Sequence, residues 1–445
     1  MRKYTFILLS LATVYLSAVM SCSVNTAKSS LPGGKALYQP KEFAGQDWNS
    51  DSCEYSYKRM DYTDNFAIYW QKGFGNDLSN PPQLEGKPMQ VDLENLKQKL
   101  EEFYTFYRDE LKFVKEGSLS EKYRMMVMIQ YSLEGTAYGG AYDDVIGAFW
   151  AAPNRLQNKK LNAVAHELGH SFQSQISADK QGDAWGGATI FEMCAQWMLW
   201  QVNPEWVTDE NYHWVAFKAN THKAFLHPEN MYRSPYVLET WSEKHGLPFI
   251  AELFRQGKKG EDPVMTYKRM TGFSQEQFND ELFEAYRQLV NFDYERVFDK
   301  TREWANSFDR FSDNLEHKSN GWYQVKKEHC PENYGFNVIK LNPRVTGKTI
   351  TVEFKGLPDE TGYTRIHSDQ AGWRYGFVGV TEDRKSIHGE MARDIEGKAT
   401  FSVPQDKKLS YLWLVVMGAP SEHWMNGDTD AQWPYKIKIS GTDIE

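Results

Sequence analysis

The sequence is short of cysteine, of clustered basic residues and of long apolar runs beyond its first residues. Four cysteines in 445 residues, one of them Cys22, are too few and too scattered for a disulfide framework. Cys53 and Cys330 could form one bridge, and unpaired thiols are the alternative. A formal charge of -9 without a long basic run argues against binding a phosphate backbone, so we expect no nucleic-acid partner.

The N-terminal segment MRKYTFILLSLATVYLSAVMSC has the layout of an export signal rather than of a membrane span. Two cationic residues precede an apolar run, small residues and then Cys22, and this order resembles a bacterial lipoprotein signal. The resemblance implies removal of most of residues 1–22, lipidation of Cys22, and export to the outer membrane or cell surface of a bacterium. Residues 23–48 begin with small and polar residues and are predicted to be a flexible tether.

Two regions with different residue patterns follow the tether. Residues 49–312 contain β-rich runs such as FAIYW and MMVMIQYS and then several amphipathic helical patterns, which predicts an α+β domain. Residues 318–445 contain short apolar or alternating runs, among them TITVEF, YGFVGV and YLWLVVMG, separated by Gly, Pro and Asp. This pattern predicts an all-β antiparallel sandwich.

The segment NAVAHELGHSFQSQ contains the residues that indicate a chemical function. His166 and His170 are four residues apart and lie on one face of the predicted helix, so both imidazoles can reach one ion. Glu167, one position round, leans toward the same space and can act as a general base for an activated water. The pattern therefore predicts a Zn²⁺ site.

A catalytic zinc ion needs a third protein ligand and an open position. Glu192 is the candidate, because it lies in GGATIFEMCAQWMLW, where nearly every neighbour is apolar. An ionised carboxylate in such surroundings is costly unless it is paired or bound to a metal.

The helix with HELGH and the later helix with FEMCAQ together resemble the gluzincin superfamily of zinc metallopeptidases over roughly residues 123–254. The string HELGHSFQ is also similar to the HExxHxxQ signature of enhancin-like peptidases, which attack glycosylated proteins. The whole layout is similar to an uncharacterised group of Bacteroidetes surface lipoproteins. The resemblance implies a zincin-like catalytic domain in which VIGAFW is the edge strand that holds an extended substrate.

Two departures from the gluzincin pattern refine the expectation. Gluzincins commonly carry an acidic residue four positions after the glutamate ligand, whereas this sequence has Gln196, whose amide oxygen can still accept a hydrogen bond from the His166 ring. The aminopeptidase signature GAMEN is replaced by GAFWA, which favours an endopeptidase.

Gluzincins stabilise the reaction oxyanion with a downstream Tyr or His. The segment HKAFLHPENMYRSPYVLETW resembles the one that holds this tyrosine, and Tyr232 is the first candidate. Tyr236 and His227 are its rivals, because Pro235 can shift the start of the following helix.

These observations predict an exported zinc endopeptidase with a protein or glycoprotein substrate. A non-catalytic surface glycan-binding lipoprotein on a zincin scaffold is one alternative, and a zinc hydrolase of a non-peptide substrate is another. A carbohydrate contact is suggested by the aromatic residues of the C-terminal domain, namely Trp322, Tyr323, Trp373, Tyr375, Trp413, Trp424 and Trp433.

Overall fold

A computed structural model describes residues 34–182, 185, 189–223, 225–425 and 431–445. The proposed signal and its Cys22 lie outside these residues. The segment expected as a tether up to residue 48 is shorter than predicted, because Leu37, Tyr38 and Phe43 pack against the core and Trp48 is buried. Within the described ranges, no helix combines the length and the apolar character needed to cross a membrane.

The N-terminal part, residues 34–312, is a mixed α/β structure. Its strands are β1 (Met60–Tyr62), β2 (Phe66–Trp70), β3 (Met125–Ile129), β4 (Ala137–Tyr142) and β5 (Ile146–Ala151). Its helices are α1 (Leu93–Asp109), α2 (Leu119–Lys122), α3 (Asn162–Ala178), α4 (Thr189–Val202), α5 (Trp206–Asp209), α6 (Tyr212–Ala219), α7 (Tyr236–His245), α8 (Phe249–Gln256), α9 (Pro263–Thr271) and α10 (Gln275–Val290).

The five strands form one sheet in the order β1-β2-β3-β5-β4. The neighbours β2, β3 and β5 run parallel, and β1 and β4 pair antiparallel to them at the two edges. Every residue of β2 and β3 is buried, which is why FAIYW and MMVMI are apolar throughout rather than alternating.

The predicted edge strand is wrong. VIGAFW forms β5, which lies between β3 and β4, and the edge is β4 with the sequence AYGGAY. Glycine is depleted in strands, so this segment resembles a loop in the sequence. Gly139 is nevertheless required here, because a Cβ atom at this position would overlap the Glu167 carbonyl oxygen and lie 2.7 Å from the His170 Cβ. Strand β4 therefore runs directly against α3.

The described residues from 315 to 445 form strands joined by loops and short 3-10 turns, which is compatible with the all-β domain expected for residues 318–445. The strands are β6 (Leu315–His317), β7 (Tyr323–Val325), β8 (Phe336–Leu341), β9 (Thr349–Gly356), β10 (Trp373–Thr381), β11 (Ser386–His388), β12 (Glu396–Ser402), β13 (Leu409–Gly418) and β14 (Tyr435–Ser440). They form two antiparallel sheets, β11-β10-β13-β8 and β12-β9-β14-β7-β6, with a shared apolar cluster in which the Phe354 and Tyr375 rings stack at 4.1 Å.

The two parts share a core. In β13, Leu412 and Leu414 belong to the cluster between the two sheets, whereas Trp413 and Val415 join the core of the N-terminal part. The alternation follows from the two-residue period of a strand. Four of the seven aromatic residues considered for sugar contact, Trp373, Tyr375, Trp413 and Trp433, are buried in these cores and cannot stack on a sugar.

Candidate metal centre

Helix α3 presents His166 and His170 toward one side while its apolar residues hold it in place. Leu168 and Phe172 are fully buried, and the Tyr107 hydroxyl donates a hydrogen bond to the Ala165 carbonyl oxygen at 3.0 Å. Gly169 faces α4 so closely that a Cβ atom there would lie 3.2 Å from the Ala195 Cα. This close crossing brings Glu192 of α4 to the two histidines.

Three donor atoms converge between the two helices. The His166 Nε2 and His170 Nε2 atoms are 3.2 Å apart, and each lies 3.1 Å from Glu192 Oε2. Among the described residues, His166, His170 and Glu192 form the one group of three or more side chains spaced to hold a metal ion.

The Nδ1 atom of each histidine ring lies within hydrogen-bond distance of a glutamine side-chain oxygen. The distance from His166 Nδ1 to Gln196 Oε1 is 2.8 Å, and that from His170 Nδ1 to Gln173 Oε1 is 3.0 Å. An amide oxygen only accepts, so each Nδ1 carries the proton and each Nε2 offers a lone pair. The orientation of the glutamines is supported by their amide nitrogens, which donate to the carbonyl oxygens of Tyr232 and Phe191.

The donor set fits zinc. Bonds of 2.0–2.1 Å in a tetrahedral arrangement place neighbouring ligand atoms about 3.3 Å apart. The three distances of 3.1–3.2 Å are close to one face of such a tetrahedron. Two imidazole lone pairs and a carboxylate facing one another repel unless a cation lies among them, and two nitrogens with one oxygen are ligands that zinc favours.

Electrostatics agree with this placement. Burial acts to raise the pKa of Glu192, but positive charge on the two adjacent imidazoles outweighs it and holds the pKa well below its usual value. Positive charge at this position therefore keeps Glu192 ionised, whether protons on the rings or a bound cation carry it. Burial raises the pKa of Glu167, and the nearby backbone of Gly139 in β4 acts in the opposite direction.

Tyr232 reaches the centre and its two rivals do not. Its hydroxyl donates to Glu192 Oε1 at 3.1 Å, and burial together with the Glu192 charge raises the pKa of Tyr232 to about 12. Tyr236 is buried among Trp200, Trp214 and other aromatic rings. His227 caps a short helical turn by accepting a hydrogen bond from the Glu229 N–H.

The centre opens into a cavity of about 300 Å³. His166, Glu167, Gln196 and Tyr232 lie on one side of it, and β4 begins beside it at Ala137. Its remaining lining consists of Gly135, Thr136, Arg155, Asn162, Ala163, Leu199, Glu210, Tyr212 and His213.

Several residues around the centre were not assigned a role from the sequence. Gln173 is one, although it is the final residue of the HELGHSFQ string and the HExxHxxQ signature includes this position. His213 and Glu210 are others: the His213 Nε2 lies 3.4 Å from the Gln196 amide nitrogen and 3.6 Å from Glu210 Oε2. No motif marks this pair, because α5 and α6 are short and their place beside α4 depends on packing.

The cysteines resolve as unpaired. Cys53, Cys194 and Cys330 are free thiols, and burial raises the pKa of Cys194 and Cys330. The suggested bridge between Cys53 and Cys330 does not form.

Comparison with known proteins gives a family and no activity. A model of a family of unknown function (DUF6055) matches residues 29–445, so the chain belongs to this family. No curated protein matches the chain.

Proposed function

We propose that this member of the DUF6055 family is a zinc-dependent endopeptidase that hydrolyses protein or glycoprotein substrates. The observation that carries the proposal is the convergence of two imidazole nitrogens and one carboxylate oxygen beside the half-buried Glu167, in an open cavity. A purely structural cluster gains nothing from placing a half-buried carboxylate with a raised pKa next to such a donor set.

The zincin-like fold is part of the same proposal. It is supported by a helix with both histidines lying under a mixed sheet, by the glutamate from a second helix, and by an edge strand beside the centre. Because β4 is the edge of the sheet and pairs with β5 on one side, the N–H and C=O groups of alternate β4 residues point away from β5 and can pair with an extended peptide.

Each residue then has a chemical task. When bound by His166, His170 and Glu192, zinc supplies Lewis acidity toward a water molecule and a substrate carbonyl. Glu167 accepts the proton of the attacking water at a carboxylate oxygen and transfers it to the leaving amine. The Tyr232 hydroxyl, released from Glu192, donates a hydrogen bond to the carbonyl oxygen as negative charge develops there.

The test is the zinc content of the purified chain, measured by elemental mass spectrometry. We expect about one zinc per chain in the wild type, and none in Glu192→Ala or His166→Ala, since a three-ligand site does not survive loss of one ligand. His317→Ala, which changes an exposed histidine on β6, is the matched control and should retain zinc. A wild-type chain that stays free of zinc after reconstitution rules the proposal out.

Substrate class needs a second assay, because an activated water hydrolyses peptides, esters and small amides alike. The zinc-loaded chain should cleave denatured proteins or a peptide library, and glycoproteins are included because of the enhancin-like string. Hydrolysis confined to small esters or amides would favour the non-peptide alternative.

Export and lipidation at Cys22 belong to the proposal as well. A cysteine behind a cationic and apolar leader supports them. Metabolic labelling with an alkyne fatty acid should mark the wild-type chain and not Cys22→Ala, and label retained on Cys22→Ala would contradict this assignment.

A further inference from the structure

Arg155 occupies a special place in the cavity of the metal centre. It ends the short turn Pro153–Arg155 that follows β5, and its guanidinium donates to the carbonyl oxygen of Gly135, just before β4. It lines the same cavity as His166 and Glu167, and among the described residues no other Lys or Arg does.

The charge of Arg155 is not neutralised by the protein around it. Among the described residues, its guanidinium bonds to a backbone carbonyl and forms no ion pair with a carboxylate. The acidic residues of the centre are committed elsewhere: Glu192 to the two histidines, and Glu210 to Asn162, Trp206 and His213. A guanidinium has five N–H donors in a planar fork, so most of its donors remain for a ligand.

The contact of Arg155 with Gly135 places its guanidinium near the start of β4, and this sets its distance from the bond to be cleaved. Gly139 marks that bond, because it packs directly against Glu167 and His170 of α3. Gly135 lies four residues earlier, at most about 14 Å along an extended chain. An arginine side chain spans part of this length, so a peptide paired with β4 would meet the guanidinium two to four residues from the cleaved bond.

We infer that Arg155 is a specificity-determining residue that binds a carboxylate of the substrate two to four residues from the scissile bond. The inference rests on the proposed peptidase function and narrows its substrates to acidic peptides or to peptide ends. Both sources offer the same chemistry, a planar carboxylate that accepts two parallel hydrogen bonds from a guanidinium.

Tyr212 lines the same cavity as Arg155 and can support the recognition. It is 61% exposed, and its ring packs on His213 with centroids 4.3 Å apart. The carboxylate thus meets a cation, a neutral hydroxyl donor and an aromatic surface.

The experiment uses zinc-loaded protein and three quenched peptides built around a bond that the wild type cleaves in a proteome-derived library. One carries Asp or Glu two to four residues from the bond and a C-terminal amide, one is neutral with a free C-terminus at that distance, and one is neutral and amidated. We expect kcat/KM for at least one carboxylate peptide to exceed that of the neutral amide by roughly 10- to 100-fold, as for a charge-assisted pair.

Arg155→Gln should abolish the ratio of kcat/KM between the carboxylate peptide and the neutral amide, because the neutral amide offers no carboxylate to the guanidinium. Lys159→Gln, an equally exposed cation four residues away that does not line the cavity, is the control and should keep the preference. Arg155→Lys should keep part of it, because charge remains without the planar fork.

Binding gives an independent readout. In a Glu167→Gln background, the affinity for the carboxylate peptide should fall with Arg155→Gln and with rising ionic strength. Preference for the acidic side chain or for the free C-terminus identifies the source of the carboxylate. A wild type that cleaves peptides without a carboxylate preference, or a preference unchanged in Arg155→Gln, overturns this inference alone. A zinc-loaded wild type that cleaves no peptide overturns the proposed function too.

Discussion

His166 and His170 each use one ring nitrogen for a glutamine oxygen and aim the other at Glu192. This division makes the two glutamines part of the centre, because an acceptor on Nδ1 holds both the tautomer and the orientation of the ring. Gln196 has a second contact, since its amide nitrogen donates to the Tyr232 carbonyl at 2.8 Å. One amide therefore links a ligand histidine to the segment that carries the hydroxyl donor.

Gln196→Leu should lower zinc affinity by roughly 10- to 100-fold, as is usual for loss of a partner behind a metal ligand. Gln196→Glu keeps an acceptor for His166 but loses the donor to Tyr232, so zinc affinity should persist while kcat falls. Gln256→Leu, an exposed glutamine of α8, is the control. Competition with a chelating dye measures the affinity, and equal affinity in wild type and Gln196→Leu would contradict the role of Gln196.

Glu167 differs from Glu192 although both are close to the histidines. Glu192 contacts both Nε2 atoms, whereas Glu167 is half-buried and packs against Gly139 of β4. Glu167→Gln should therefore retain about one zinc per chain, while kcat/KM falls roughly 100- to 10,000-fold with the loss of a general base. Glu328→Gln is a surface control; loss of zinc from Glu167→Gln would instead make Glu167 part of the ligand set.

At the scale of elements, the contact between β4 and α3 sets the position of the edge strand on which we propose that a substrate lies. It depends on one glycine: Gly139 faces Glu167 and His170, and its neighbour Gly140 has no atom within 4 Å of a built Cβ. The two adjacent glycines thus form a natural pair of test and control.

Gly139→Ala should lower the free energy of unfolding by about 1–3 kcal/mol, the usual cost of overpacking, and displace β4 from Glu167. Gly140→Ala should change it by less than about 0.5 kcal/mol, as expected for a substitution into open space. Urea unfolding of both variants, with peptidase assays alongside, checks this. Comparable stability of the two would show that β4 does not press on α3.

At the scale of the whole molecule, the two parts are joined by backbone hydrogen bonds beside the buried His222. The Glu332 and Phe336 N–H groups donate to the carbonyl oxygens of His222 and Thr221 at 2.8 and 2.7 Å. The His222 ring is buried and lies 5.1 Å from the His329 ring. A proton taken up here would place positive charge inside the junction.

Burial, and then the charge of His329, lower the pKa of His222 from 6.5 to about 3. Between these values the unfolded chain binds a proton that the folded chain does not. The free energy of unfolding should therefore hold above pH 6.5 and fall as the pH drops toward 3, by up to about 1.4 kcal/mol per pH unit from this group.

Urea unfolding at pH 7.5 and pH 5 measures the effect. His222→Gln should reduce the loss of stability between the two pH values, whereas the exposed-site control His317→Gln should not. An equal loss in His222→Gln and wild type would show that His222 does not report on the junction.

Sequence patterns predicted much of the secondary structure outside the HELGH motif. The helices carrying HELGH and FEMCAQ, the apolar central strands and the all-β C-terminal part follow from periodicity, and the structure has them at nearly the predicted positions. Sequence patterns were misleading where glycine or contacts between distant segments determine the structure. AYGGAY has the composition of a loop but forms a strand by pairing with β5. Residues 34–48 have the composition of a tether, but Trp48 is buried in the core.

The sequence by itself determined the pair His166 and His170 with Glu167 beside them, because the pitch of one helix places residues four apart on one face whatever surrounds it. It also singled out Glu192 as a carboxylate in need of a partner. Only the tertiary structure decided that Tyr232 rather than Tyr236 reaches the centre, that β4 is the edge, and that Arg155 faces the same cavity. Those relations join segments far apart in the chain, and the packing of buried side chains between them decides which polar groups meet.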